Sequence, residues 1–199
     1  AYRRQRQMCI RDSYHGILGH TIEIPEGNEE SYKAGRNAVL GGIDFLNQDP
    51  DRLLEMRLNF YLRGLNKTED PKAENELVGP NGEIVGRVKN GRPKFFPDYY
   101  VIPMSLDKDN DAQEAFNMID YFKRNGVLVK ELKEDIGNYK KGDLVIDMAQ
   151  AKRGYANHIL YKGSNESAWA AMYAELLVNF PDMRGFKSEP CLLYTSDAA

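Results

Sequence analysis

From Tyr99 onward the chain alternates short apolar runs with segments of helical period, and this alternation restricts its fold more than any other feature. Tyr99-Tyr-Val-Ile-Pro103 predicts a buried strand. Ala112, Ala115, Phe116, Ile119 and Phe122 fall at helical spacing, and Asn125-Gly126 supplies a stop signal for that helix. Val127–Leu132 predicts a strand. A turn over Asn138–Gly142 leads to another strand at Leu144–Met148. Lys152–Tyr161 predicts a short helix. Ser167–Phe180 predicts a longer one, with Trp169, Met172, Tyr173, Leu176 and Leu177 on its apolar stripe. The expected result over residues 93–188 is an α/β module in which helices cover a sheet. Its expected core includes Val101, Ile102, Phe116, Ile119, Val145, Ile146 and Leu160.

The first part of the chain reads differently. Gly16-Ile-Leu-Gly-His-Thr-Ile-Glu-Ile24 predicts a strand halted by Pro25. Asn28 is placed to cap a helix whose first turn holds Glu29 and Glu30, where the helix dipole favours acid. That helix is expected to run to Gln48, with Tyr32, Val39, Gly42, Ile43 and Leu46 on one face. Gly41 and Gly42 each weaken it by about 1 kcal/mol relative to alanine, which implies a close packing partner. Asp49-Pro50-Asp51 restarts a second helix with Leu54, Leu58, Tyr61 and Leu62 on one stripe, ending at Gly64. Between Asn66 and Pro93 the turn signals Pro71, Gly79-Pro80-Asn81-Gly82, Gly86 and Asn90-Gly91 surround a short strand candidate, Glu83–Val88. Residues 65–92 are therefore expected to be a linker or a surface β-insertion between a unit at 14–64 and the module at 93–188.

Composition excludes some classes of function. The 27 Lys and Arg residues nearly balance the 30 Asp and Glu residues, for a net charge of −3. So small a charge supplies no basic field to hold phosphate backbones, so nucleic acid is not an expected partner. No apolar run approaches the roughly 20 residues needed to span a bilayer. The hydrophobic fraction of 42% and charged fraction of 29% suit a globular chain.

The two ends resemble translated sequencing-adapter tags. Ala1-Tyr-Arg-Arg-Gln-Arg-Gln-Met-Cys-Ile-Arg-Asp-Ser13 opens the chain, and Cys191-Leu-Leu-Tyr-Thr-Ser-Asp-Ala-Ala199 closes it, neither with helical or strand periodicity. The resemblance implies that residues 1–13 and 191–199 are non-native and pack against nothing specific, with the domain boundary of the C-terminal tag drawn at residue 189. The alternative is an ordinary disordered tail at each end. On the tag reading, Arg3, Arg4, Arg6 and Arg11 cease to suggest a nucleic-acid arm. Cys9 and Cys191, the two cysteines, drop out as well, leaving no disulfide framework and no thiol nucleophile.

Few motifs carry chemistry. His20 and Glu23 have the His-x-x-Glu spacing of some zinc sites. On a strand, however, the two would point to opposite faces, which argues against joint ligation. Thr21 and Glu23 would share a face, with Glu23 near the strand's C-terminal end, where open α/β sheets place their sites. A solvated glutamate on an edge strand is the plain alternative. Asp107-Lys-Asp-Asn-Asp111 resembles a calcium loop in outline only. Ala112 stands where the turn needs Gly, and Met118 where the bidentate Glu belongs, so a polar loop capping the next helix is expected. His15 and His158 are isolated and read as structural or surface residues.

Gly16–Pro25 followed by a helix resembles the C-terminal part of the zinc carboxypeptidase catalytic domain, in which a late strand carries Thr-x-Glu. Thr21-Ile22-Glu23 matches that pattern. The resemblance implies that Glu23 is the catalytic general base and that the helix from Glu29 to Gln48 closes the domain. Phe95-Phe-Pro-Asp-Tyr-Tyr-Val-Ile-Pro103, Met148-Ala-Gln-Ala-Lys-Arg-Gly154 and Asn179-Phe-Pro-Asp-Met-Arg-Gly185 are similar to the region that follows this domain in large bacterial members. There it forms a small flavodoxin-like or amidotransferase-like α/β module. The likeness covers most of residues 14–188. In the family, zinc polarises the scissile carbonyl and acidifies a bound water, and the glutamate moves that water's proton to the leaving amine.

The family's zinc ligands and substrate-binding arginines lie upstream of its Thr-x-Glu, and no residue of this chain corresponds to them. The resemblance thus implies a fragment of a metallocarboxypeptidase that acts on peptide substrates and is secreted or at the cell envelope. Zinc would be a cofactor of the full-length enzyme and would not bind this fragment alone. The competing expectation is a non-catalytic peptide- or glycan-binding α/β module. An amidotransferase in its own right would need a nucleophilic Cys that residues 14–188 lack.

Overall fold

The computed structural model describes residues 12–17, 19, 22, 24, 26–68, 77–78, 84–85, 96–106, 110–161 and 180–191. The chain divides into two units, Ala1–Leu62 and Arg63–Ala199.

The first unit is built on helix α1, Glu29–Gln48. Asn28 caps it as expected, its Oδ1 accepting the Ser31 N–H at 2.8 Å. Glu29 also pairs with Lys33 one turn on, at 2.7 Å. Asp49 then starts helix α2, Pro50–Leu65, by accepting the Arg52 N–H at 3.0 Å. The short turn at Asp12–Tyr14 is tied down where the Tyr61 hydroxyl donates to the His15 carbonyl at 2.7 Å.

Two expectations for this unit fail. The described residues Ile17, Gly19, Ile22 and Ile24 belong to no strand. A strand needs a partner for its ladder groups, and none pairs with this segment among the described residues. Gly16 also has a φ of +70°, outside the strand region. Among the described residues the close partner expected at Gly41 and Gly42 is also missing, since a Cβ at either position would meet nothing within 4 Å. No residue of α1 is buried, and Tyr32, Val39, Ile43, Phe45 and Leu46 are all exposed.

In the second unit, strands β1 (Leu77–Val78) and β2 (Ile84–Val85) form a two-stranded antiparallel pair within the turn-rich tract. The main sheet has four strands: β3 (Tyr99–Ile102), β4 (Lys130–Glu131), β5 (Leu144–Asp147) and β6 (Glu189–Cys191). Their order is β4-β5-β3-β6, and every pairing is antiparallel. The unit is therefore mixed α/β, as the alternation implied, but this sheet is not the parallel core on which a flavodoxin-like module is built.

Register decides which side chains enter the core. Tyr100 lies opposite Ile146 and Ile102 opposite Leu144, so these four share one face, and all are buried. The Tyr100 hydroxyl donates to Asn157 Oδ1 at 2.9 Å, joining that face to helix α4, Arg153–Leu160. Helix α3, Ala112–Arg124, buries Ala115, Met118 and Phe122. Phe116, expected in the core, is 59% exposed, and Ile119 is half-buried. The helix is turned so that Met118 enters the core, and Phe116 falls outside the Ala115–Met118–Phe122 stripe. Val145 is likewise half-buried; it lies on the face opposite Tyr100 and Ile146, between buried Val101 and exposed Lys130.

The stop of α3 follows its sequence signal closely. Gly126 has a φ of +76°, its N–H bonds the Lys123 carbonyl, and the Val127 N–H reaches back to Phe122. This is the Schellman arrangement, completed by burial of both Phe122 and Val127. Helix α5, Phe180–Arg184, follows the segment 162–179, and most of the helix expected at Ser167–Phe180 lies outside the described residues.

The C-terminal tag boundary needs a correction. Glu189, Pro190 and Cys191 form β6, aligned with Val101, Tyr100 and Tyr99 of β3, so Cys191, expected in a tail that packs against nothing, is paired in the sheet. The Asp98 N–H also donates to the Cys191 carbonyl at 3.0 Å. The free edge of β3 supplies the backbone partners that a sequence pattern does not display.

Candidate functional site

Glu23, the expected general base, lies outside the described residues, as do His20, Thr21 and Pro25. Among the flanking residues, Ile22 is exposed, and the Ile24 side chain lies so close to Gly35 of α1 that a Cβ there would sit 2.9 Å from it.

No group of three or more His, Cys, Asp or Glu side chains able to hold a metal occurs among the described residues. His15 and His158 are both half-buried. Burial pushes the His158 imidazole below its ordinary pKa of 6.5, so it favours the neutral form.

The carboxylates of the second unit serve structural bonding. Asp111 caps α3, accepting the Gln113 and Glu114 N–H groups at 2.9 and 3.2 Å. This matches the capping-loop reading of the Asp-rich segment, whose Asp107–Asp109 part is outside the described residues. Asp143 is buried and accepts the Met104 and Lys140 N–H groups at 2.9 and 2.8 Å. Asp147 is partly desolvated, which alone would raise its pKa. The Ala149 N–H bond and the Lys130 ammonium at 3.0 Å outweigh this, with a contribution from Lys67, and the carboxyl stays below its usual range.

Buried polar side chains that the sequence did not single out hold the loops of this unit. Asn110 donates to the Pro103 and Ser105 carbonyls and accepts the Lys187 N–H. Gln150 accepts the Leu128 N–H at 2.8 Å and donates to the Asp147 carbonyl. Arg153 stacks on the Phe96 ring at 4.2 Å and donates to the Thr68 carbonyl. Burial and the hydrogen bonds that tie it to Cys191 and to the Glu189 carboxylate, which accepts its proton, push the Tyr139 hydroxyl well above its ordinary pKa, so it acts as a neutral clamp on β6.

A cavity of about 290 Å³ lies among the end of α4, helix α5 and the segment that follows it, lined by apolar Leu160, Pro181, Phe186 and Pro190 together with polar Asp182, Lys187, Ser188 and Glu189.

No family model, curated protein or solved structure matches this chain. Among the described residues, no helix is long and apolar enough to cross a membrane.

Proposed function

We propose that this chain is part of a zinc metallocarboxypeptidase, with Glu23 as the general base that receives a water proton and returns it to the departing amine. The observation that carries this reading is the run Gly16–Pro25, with Thr21-Ile22-Glu23 inside it, leading directly into the Asn28-capped helix α1. The helix runs over Glu29–Gln48, the segment that the resemblance takes as the one closing the catalytic domain. The zinc ligands of the enzyme would lie upstream of Thr21, so the chain by itself would be inactive, with peptides as the substrates of the whole protein.

The test is to express the chain joined to its upstream coding sequence and measure zinc content and release of C-terminal residues from peptides. The joined protein should hold zinc and trim peptides. In it, Glu23→Gln keeps the side-chain shape and loses the base. Zinc and substrate binding should persist while turnover falls by about 10²–10⁴-fold. Near-normal turnover in the variant would show that Glu23 is not the base. A joined protein without zinc would overturn the enzyme reading. The second reading, a non-catalytic module that binds a peptide or glycan, would then take its place.

A further inference from the structure

We draw no further inference here: the strongest candidate, the exposed apolar face of α1 formed by Tyr32, Val39, Ile43 and Leu46, adds nothing to the reading already given, because nothing in the structure shows what covers it.

Discussion

Phe116 and Phe122 are the same residue type on the same helix, yet one is exposed and the other fully buried. Phe122→Ala should cost about 3–5 kcal/mol, the usual range for a buried aromatic, whereas Phe116→Ala should stay within about 0.5 kcal/mol. Urea denaturation of both variants checks the pair, and equal losses would contradict the observed helix rotation. Gly64 is constrained by space. A Cβ there would stand 2.4 Å from the Gln150 carbonyl oxygen, a backbone atom that has little room to move. Gly64→Ala should therefore lower stability by about 1–3 kcal/mol, although alanine is the better helix former. His158 supplies a pH dependence. Its folded pKa lies below the unfolded value near 6.5, so the unfolded chain takes up the proton first. The stability held with neutral His158 is present above that pH and is lost as pH falls through the folded value. In thermal melts between pH 7 and 5, His158→Gln should flatten the decline seen in the parent chain. An unchanged slope would mean that other groups carry it.

The helices show how far local chemistry reaches. Their starts at Asn28 and Asp49, and the end of α3 at Gly126, follow the side chains and backbone freedom of those residues, and the sequence displays these signals directly. Asp111 is the cap that can be tested most cleanly, because it serves two N–H groups and stands at an exposed helix start. Asp111→Ala should cost about 1 kcal/mol by chemical denaturation, and Asp111→Asn should recover much of it. Failure of the Asn variant to recover would point away from capping. In α1, Gly41 faces open space. Gly41→Ala should therefore raise helicity and favour the helix by about 1 kcal/mol. A loss of helicity on circular dichroism would reveal a packing partner at that glycine. The described residues of the segment 16–24 form no strand, because its apolar residues supply pattern but no ladder partner among the described residues.

For the whole molecule, the antiparallel sheet depends on contacts between distant segments. β6 joins β3 from 92 residues further along the chain, the separation of Tyr99 from its partner Cys191. Ending the chain at Ser188 would remove β6 and the Tyr139 bonds to Glu189 and Cys191, leaving β3 as an open edge. The urea midpoint should fall clearly relative to a chain ending at Cys191. Equal midpoints would show that β6 contributes nothing. Much of the second unit was legible in advance: β3, β5, α3 and α4 follow hydrophobic period and stop signals, which are properties of neighbouring residues. The candidate site was legible only as Thr21-Ile22-Glu23 and its family resemblance, since a general base is defined by what surrounds it. Sequence by itself determined where helices begin and end and that helices and strands alternate after Tyr99, because caps, turns and periodicity act within a few residues. Tertiary structure alone decided the antiparallel order β4-β5-β3-β6, the recruitment of Glu189–Cys191, the exposure of Phe116, and the roles of Asn110, Asp143, Gln150 and Arg153. Each of those depends on which distant backbone groups arrive alongside, and no local pattern encodes that arrival.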